Sequence, residues 1–346
     1  MDIVLPLTKA LIALAIILAG CELFTNAIEW FGSKLNLSAG VVGSILAAVG
    51  TALPETLVPL VAILLIGGDA AKDIGIGAIL GAPFMLATLA FFVTGAAVIV
   101  FRRRRVAGTH MSVHTDTLGQ DLAYFLAVYL LAVGISPVLA LLPSGSAQLG
   151  ERALRAATAV VLLVAYGVYV WRHLQRKDQE EEEELRALYL QYRCEGQPRL
   201  RFVVSQVFLG LVAIVGGAHL FVENLEHVAL GIGVPPLVLS LIVTPIATEL
   251  PEKFNSVLWV RQGKDTLAIG NISGAMVFQS CIPGAIGITM TEWALDTSAL
   301  ASAAAALVSS AIVFAYLRTR GALNGWILLL GLPLYIAFLV VAFRAR

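Results

Sequence analysis

Charge is scarce in this sequence, and that scarcity excludes an ordinary soluble fold. Only 13% of the 346 residues are Asp, Glu, Lys or Arg, 59% are hydrophobic, and the mean hydropathy is +0.88; soluble domains carry about 25% charged residues. Cysteine is nearly absent as well. Cys21, Cys194 and Cys281 are scattered, with no spacing for a disulfide framework or a zinc site. There is no phosphate-binding loop and no Ser/His/Asp arrangement, so nothing points to an enzyme or to a bound cofactor. Lys plus Arg equal Asp plus Glu at 23 each, a balance that gives no reason to expect a nucleic-acid partner. The expected partners are a lipid bilayer and inorganic cations.

What the chain does have is long apolar runs. A spanning helix needs about 20 mostly apolar residues, and ten such stretches can be placed: 9–30, 39–66, 74–101, 121–142, 153–171, 202–224, 233–259, 267–291, 298–317 and 323–343. The first carries Glu22, Asn26 and Glu29 and lacks a small-residue cleavage site, so it reads as a span and not as a removable signal peptide. Lys34, Arg102 to Arg105, the basic residues of 172–201, Arg261, Lys264, Arg318 and Arg320 all follow odd-numbered spans. Basic loops stay cytoplasmic. The reading is a multi-pass protein of a prokaryotic plasma or inner membrane with both termini outside.

The stretch 172–201, with Glu180 to Glu184 at its centre, reads as a solvated cytoplasmic linker; such an acidic run can also sense cations. It separates five spans in 1–171 from five in 202–346. The halves repeat: Gly20, Leu23, Phe24 and Glu29 match Gly217, Leu220, Phe221 and Glu226, and the same offset carries Thr51, Leu53, Pro54 and Glu55 onto Thr248, Leu250, Pro251 and Glu252. Gly77 and Gly81 then match Gly270 and Gly274. Because each half has an odd number of spans, the second lies upside down relative to the first. The expected fold is an all-α membrane protein of ten transmembrane helices in two inverted five-helix repeats, the architecture of secondary transporters whose site forms near the midplane at interrupted helices.

Spans 2 and 7 place Pro54-Glu55 and Pro251-Glu252 near their centres. Proline removes a backbone donor and frees a carbonyl in the preceding turn, and a freed carbonyl in lipid needs a partner such as a cation. Thr51 and Thr248 add hydroxyl oxygens one turn before each glutamate. Carboxylate, carbonyl and hydroxyl are the hard oxygen donors that suit Ca2+ or Na+. A carboxyl that merely bonds neighbouring helices is the plain alternative. Two at repeat-related positions favour an ion site instead, since an intramembrane ionisable group is costly.

The motifs GTALPE and ATELPE, followed by GAILGAPF and GNISGAMVF, resemble the two alpha repeats of the cation/calcium exchanger superfamily. The resemblance implies exchange of Ca2+ against Na+ or H+ by alternating access. It also implies a site on spans 2, 3, 7 and 8, with spans 1 and 6 sliding across it. Glu55 and Glu252 are then the central ligands, with Thr51 and Thr248 beside them.

Departures from that pattern matter. Where the family usually has Ser-Asn or Ser-Asp after each glycine pair, this chain has Ala82-Pro83 and Ala275-Met276, and Ala52 and Glu249 replace the small polar residue after each Thr. Glu249 is a third carboxylate, and Lys253 lies four residues after it, a spacing that favours an ion pair. Lys253 is therefore either a tethered cation of the site or a side chain that snorkels to the cytoplasmic interface. Crowded carboxylates raise one another's pKa, which keeps proton coupling open. Asn271, Ser273, Gln279 and Asn255 are further oxygen donors. In spans 1 and 6, Glu22, Asn26, His219, Glu223 and Asn224 line either an ion vestibule or a helix contact, with His219 a candidate proton relay. Two other functions remain: a monovalent Na+/H+ or K+/H+ antiporter, and a transport-inactive sensor or scaffold.

Overall fold

The computed structural model describes residues 3–34, 53–141, 148–175, 187–191 and 197–344. These are almost entirely helical. In the first half α1 (Val4–Lys34) is followed by the short α2 (Leu53–Val61), which continues as a π-turn over Ala62–Ile66. Then come α3 (Asp69–Met85) and α4 (Phe91–Phe101), joined through a π-turn over Leu86–Ala90 just after Pro83 has removed a helical donor. The half closes with α5 (Thr115–Ala140) and α6 (Gln148–Leu174). In the second half α7 (Leu200–Ile232) stops at left-handed Gly233, and α8 (Pro236–Thr248) starts on a proline in its first turn. It is followed by α9 (Leu250–Gln262), α10 (Asp265–Met290), α11 (Thr297–Arg320), the one-turn α12 (Gly325–Leu328) and α13 (Gly331–Arg344).

Among the described residues eight helices are long and apolar enough to cross a membrane, and two shorter apolar helices accompany them, Pro54–Ile66 and Pro236–Ile246. The two short ones carry expected spans 2 and 7. Residues 39–52 of span 2 lie outside the described residues. Span 7, expected as one run over 233–259, is interrupted at Glu249. The apolar stretches of α10 and of α3–α4 are 67% and 61% buried, against 22% for α6. The first two are therefore the central spans, and α6 faces outward.

Close packing between the halves runs through glycine. A Cβ on Gly20 of α1 would meet Ala213 and Ile214 of α7, and one on Gly217 of α7 would meet Ala13 and Ile17 of α1. The contacts are reciprocal between repeat-matched residues. Among the described helices, α1 packs mainly on α7 and touches α2 and α8. Likewise Gly77 and Gly81 of α3 lie directly on the backbone of Leu237 and Leu241 in α8, a small-xxx-small contact of the kind that joins membrane helices.

The connecting segments fall on two faces. On one, β1 (His110–Met111) pairs with β2 (Leu323–Asn324), which ties the α4–α5 loop to the α11–α12 loop. Arg105 of the first loop forms a bidentate ion pair with Asp265 at the start of α10, at 2.7 and 2.6 Å, and also donates to the Val260 carbonyl. On the other face Arg155 donates to the carbonyls of Thr291 and Glu292, and Ser136 accepts from the Leu295 amide. Arg102 to Arg105, Arg261, Lys264, Arg318 and Arg320 belong to the first face. The Arg105–Asp265 side chains are 3% and 1% exposed, so removing one partner strands a buried charge. Asp265→Ala is expected to cost about 3–5 kcal/mol, read as a lower unfolding temperature in detergent, whereas replacing both partners with apolar residues costs less.

The end of the central linker also has a place. Leu188 is buried with Ala27 of α1 and Val203 of α7. The Tyr189 hydroxyl donates to Glu22 at 2.6 Å, Asn26 donates to the Ala187 carbonyl, and Gln206 donates to both Asn26 and the Leu23 carbonyl. Glu22 and Asn26 thus hold the linker onto the α1/α7 pair.

Candidate functional site

Glu55 sits in the first turn of α2 and is 3% exposed, with both carboxylate oxygens shielded from solvent. Its helix packs against α3, α7 and α10 and touches α8. Glu249 occupies the break between α8 and α9, with φ −93° and ψ 7°, and is fully buried. Proline explains the break: Pro245 lies inside α8, and Pro251 occupies the first turn of α9, where a missing N–H is harmless. Backbone pairing persists around it. The Glu249 amide donates to the Pro245 carbonyl and the Glu249 carbonyl accepts from the Lys253 amide, both at 3.1 Å.

The sequence left Lys253 between two destinations, and its ammonium lies 3.1 Å from Glu249 Oε2 and 3.4 Å from the Pro245 carbonyl. The side chain is 11% exposed, whereas the neighbouring Phe254 is 64% exposed. It turns back along the helix toward the break and does not snorkel outward. Thr248 is buried beside Glu249 and donates to the Thr244 carbonyl, which leaves its oxygen lone pairs as acceptors. Two turns before Thr248, Ser240 donates to the Ile74 carbonyl of α3, so α8 is fixed to α3 on the approach to the break.

Not every expected residue joins this group. Thr51 lies outside the described residues, and Glu252 is described only as a backbone position in α9, three residues after Glu249. Asn271 is half-buried on α10, and its amide nitrogen has no hydrogen-bond partner among the described residues. His219 is 47% exposed and pairs with Glu223 at 3.3 Å on an outer face of α7. Ala82 and Met276, where oxygen ligands would stand in the family pattern, are buried at 2% and 0%. Among the described residues no three His, Cys, Asp or Glu side chains converge as a metal-holding group.

A polar centre that sequence reasoning missed surrounds Asp121. This α5 carboxylate is 2% exposed and accepts from Ser273 of α10 at 2.6 Å and from Tyr169 of α6 at 3.2 Å, with His173 Nε2 at 3.4 Å. A cavity of about 20 Å³, lined by His114, Thr117, Asp121, Thr266, Gly270 and Ser273 among others, adjoins it; that is room for a water molecule. Asp121 is the first residue of the apolar run placed at 121–142. The helix begins six residues earlier, at Thr115. Ser273, read as an oxygen donor for an ion, is turned toward Asp121.

The chain is similar to several known proteins. The model of a family described as sodium/calcium exchanger protein matches residues 7–174 and 202–344. The chain is 26% identical over 284 residues to the inner membrane protein YrbG of Escherichia coli K12, covering 81% of this chain and 78% of that protein. It is 24% identical over 329 residues to the putative antiporter CaxA of Alkalimonas amylolytica, covering 92% and 94%. Among solved structures it is similar in fold to the H+/Ca2+ exchanger CAX, with a TM-score of 0.70 at 17% identity over 97% of this chain and 81% of that one. The sodium-calcium exchanger NCX_Mj matches with a TM-score of 0.57 at 20% identity over 98% and 99%.

Proposed function

The chain belongs to the sodium/calcium exchanger protein family, and from that premise we propose that it is a secondary antiporter moving Ca2+ or a similar cation against Na+ or H+ by alternating access. It is a membrane transporter and not an enzyme. The observation that carries the reading is the pair of buried carboxylates, Glu55 and Glu249, on two apolar helices that touch, one of them interrupted at the carboxylate itself. Buried carboxylates in a membrane interior are costly, and a broken helix there is suited to cations.

In this reading Glu55 and Glu252 are the central ligands near the midplane, and Thr51, Thr248 and Glu249 complete the oxygen set. Asn271 and Lys253 modulate it, and His219 contributes to coupling only through Glu223. The repeats 1–171 and 202–346 are inverted copies, which the reciprocal Gly20 and Gly217 contacts support. The face carrying Arg102 to Arg105, Arg261 and Arg318 is cytoplasmic, with 172–201 on it and both termini outside.

The buried Ala82 and Met276 favour a second reading. A site with fewer side-chain oxygens suits a monovalent ion better than the six to eight ligands of Ca2+, which gives a Na+/H+ or K+/H+ antiporter. Proteoliposomes separate the two. Radioactive calcium uptake driven by an outward Na+ or H+ gradient is expected, and uptake that ignores both gradients would overturn calcium exchange. Monovalent flux driven by pH without calcium movement would select the second reading, and no flux of any ion would leave a sensor or scaffold.

A further inference from the structure

The ion pair at the break in span 7 bears on how much charge the site must load. Glu249 is fully buried and Lys253 nearly so, and the ammonium touches a carboxylate and the Pro245 carbonyl beside the interruption. Those are the donor types that a transported cation would find at a broken helix. A lysine placed there only for solvation would extend toward water. This one runs inward from a residue whose neighbour, Phe254, is exposed.

We propose that the Lys253 ammonium is a permanent cation of the transport site, cancelling Glu249 so that cargo need neutralise only Glu55 and Glu252, and that exchange is therefore electroneutral, one divalent cation against two monovalent ones. The proposal rests on the reading of Glu55 and Glu252 as cargo ligands. The physical argument is the cost of carrying net charge through a low-dielectric interior. A loaded site crosses most easily when its ligand charges and ions sum to zero. Three carboxylates would require three positive charges from cargo. With Lys253 tethered, two suffice, the charge of one Ca2+ or of two Na+ or H+. A tethered ammonium cannot leave with the cargo, so the cancelled charge is the same in both facing states. The i to i+4 order, Glu before Lys, is the favoured geometry for the pair on a helix.

The test uses full-length protein in proteoliposomes with the membrane potential set by K+ and valinomycin, reading the steady calcium accumulation ratio under a fixed Na+ or H+ gradient. The wild-type ratio is expected to be the same with and without an imposed potential. In Lys253→Met the monovalent-loaded site takes a third Na+ or H+ beside the uncancelled Glu249, so exchange becomes three monovalent ions against one calcium and carries one net charge per turnover, and its ratio shifts roughly 50-fold for about 100 mV. Lys253→Arg stays insensitive. If Lys253→Met does not fold, Glu249→Gln with Lys253→Met removes both charges together; its flux is expected to fall because Glu249 belongs to the oxygen set, and the accumulation ratio that it reaches is expected to show no voltage dependence. A wild-type ratio that follows the potential, a Lys253→Met ratio that does not, or a voltage-dependent double variant would each overturn the proposal. Absence of any gradient-driven cation flux in folded wild-type protein overturns the exchanger reading instead, and is recognised because no accumulation ratio then exists.

Discussion

Glu55→Gln is expected to abolish exchange while leaving a folded protein. The substitution keeps the size and shape of the side chain and removes only its charge. The carboxylate is shielded from solvent, so its attraction for a cation is screened far less than that of a surface acid. A contact worth about 3 kcal/mol would lower flux by roughly 100-fold on its loss. Stability should move little or rise, because a buried charge is itself unfavourable. The measurement is gradient-driven calcium uptake in proteoliposomes beside unfolding temperature in detergent, with and without calcium. Loss of uptake together with loss of the calcium-induced rise in unfolding temperature is the expected result. Unchanged uptake would remove Glu55 from the site.

Long apolar runs made eight of the spanning helices readable, because in lipid every backbone group must pair within its own segment. Their ends were less legible for the same reason. Thr115 to Gln120 are polar enough to read as loop but continue the α5 helix, which hid Asp121 two turns inside it. The central acids of the repeat were legible as candidates from their Pro-Glu context. The direction of Lys253 was not, because a long stem can reach either the interface or the helix interior, and only tertiary packing decides. The attachment of Leu188 and Tyr189 to α1 and α7 was also beyond the sequence. A five-residue stretch after an acidic run has no periodicity that distinguishes a docked strap from a solvated linker. The strands β1 and β2 have two residues each, too short for alternation to register.

Placing a side chain at Gly77 and Gly81 together should disrupt the fold, and it tests whether α3 is the seat of the broken helix. A Cβ at Gly81 would lie 2.7 Å from the Leu241 carbonyl oxygen and 2.7 Å from Pro245 Cγ, and one at Gly77 would lie 2.6 Å from the Leu237 carbonyl oxygen. These neighbours are backbone or a rigid ring, so the helices must part. Overpacking of this kind costs about 1–3 kcal/mol per site. Gly77→Val with Gly81→Val is therefore expected to yield little monodisperse protein, and Gly81→Ala alone a lowered unfolding temperature. Gly134→Ala on α5 provides the opposite sign, since no described atom lies within 4 Å of a Cβ there and alanine is the better helix former by about 1 kcal/mol. The functional consequence follows from Pro245. Its carbonyl accepts from both the Glu249 amide and the Lys253 ammonium, so pushing α8 off α3 displaces the ion pair as well. Gly81→Ala should accordingly weaken calcium-dependent stabilisation more than its loss of stability alone accounts for, whereas Asp265→Ala, acting at the loop face, should lower stability without that added loss.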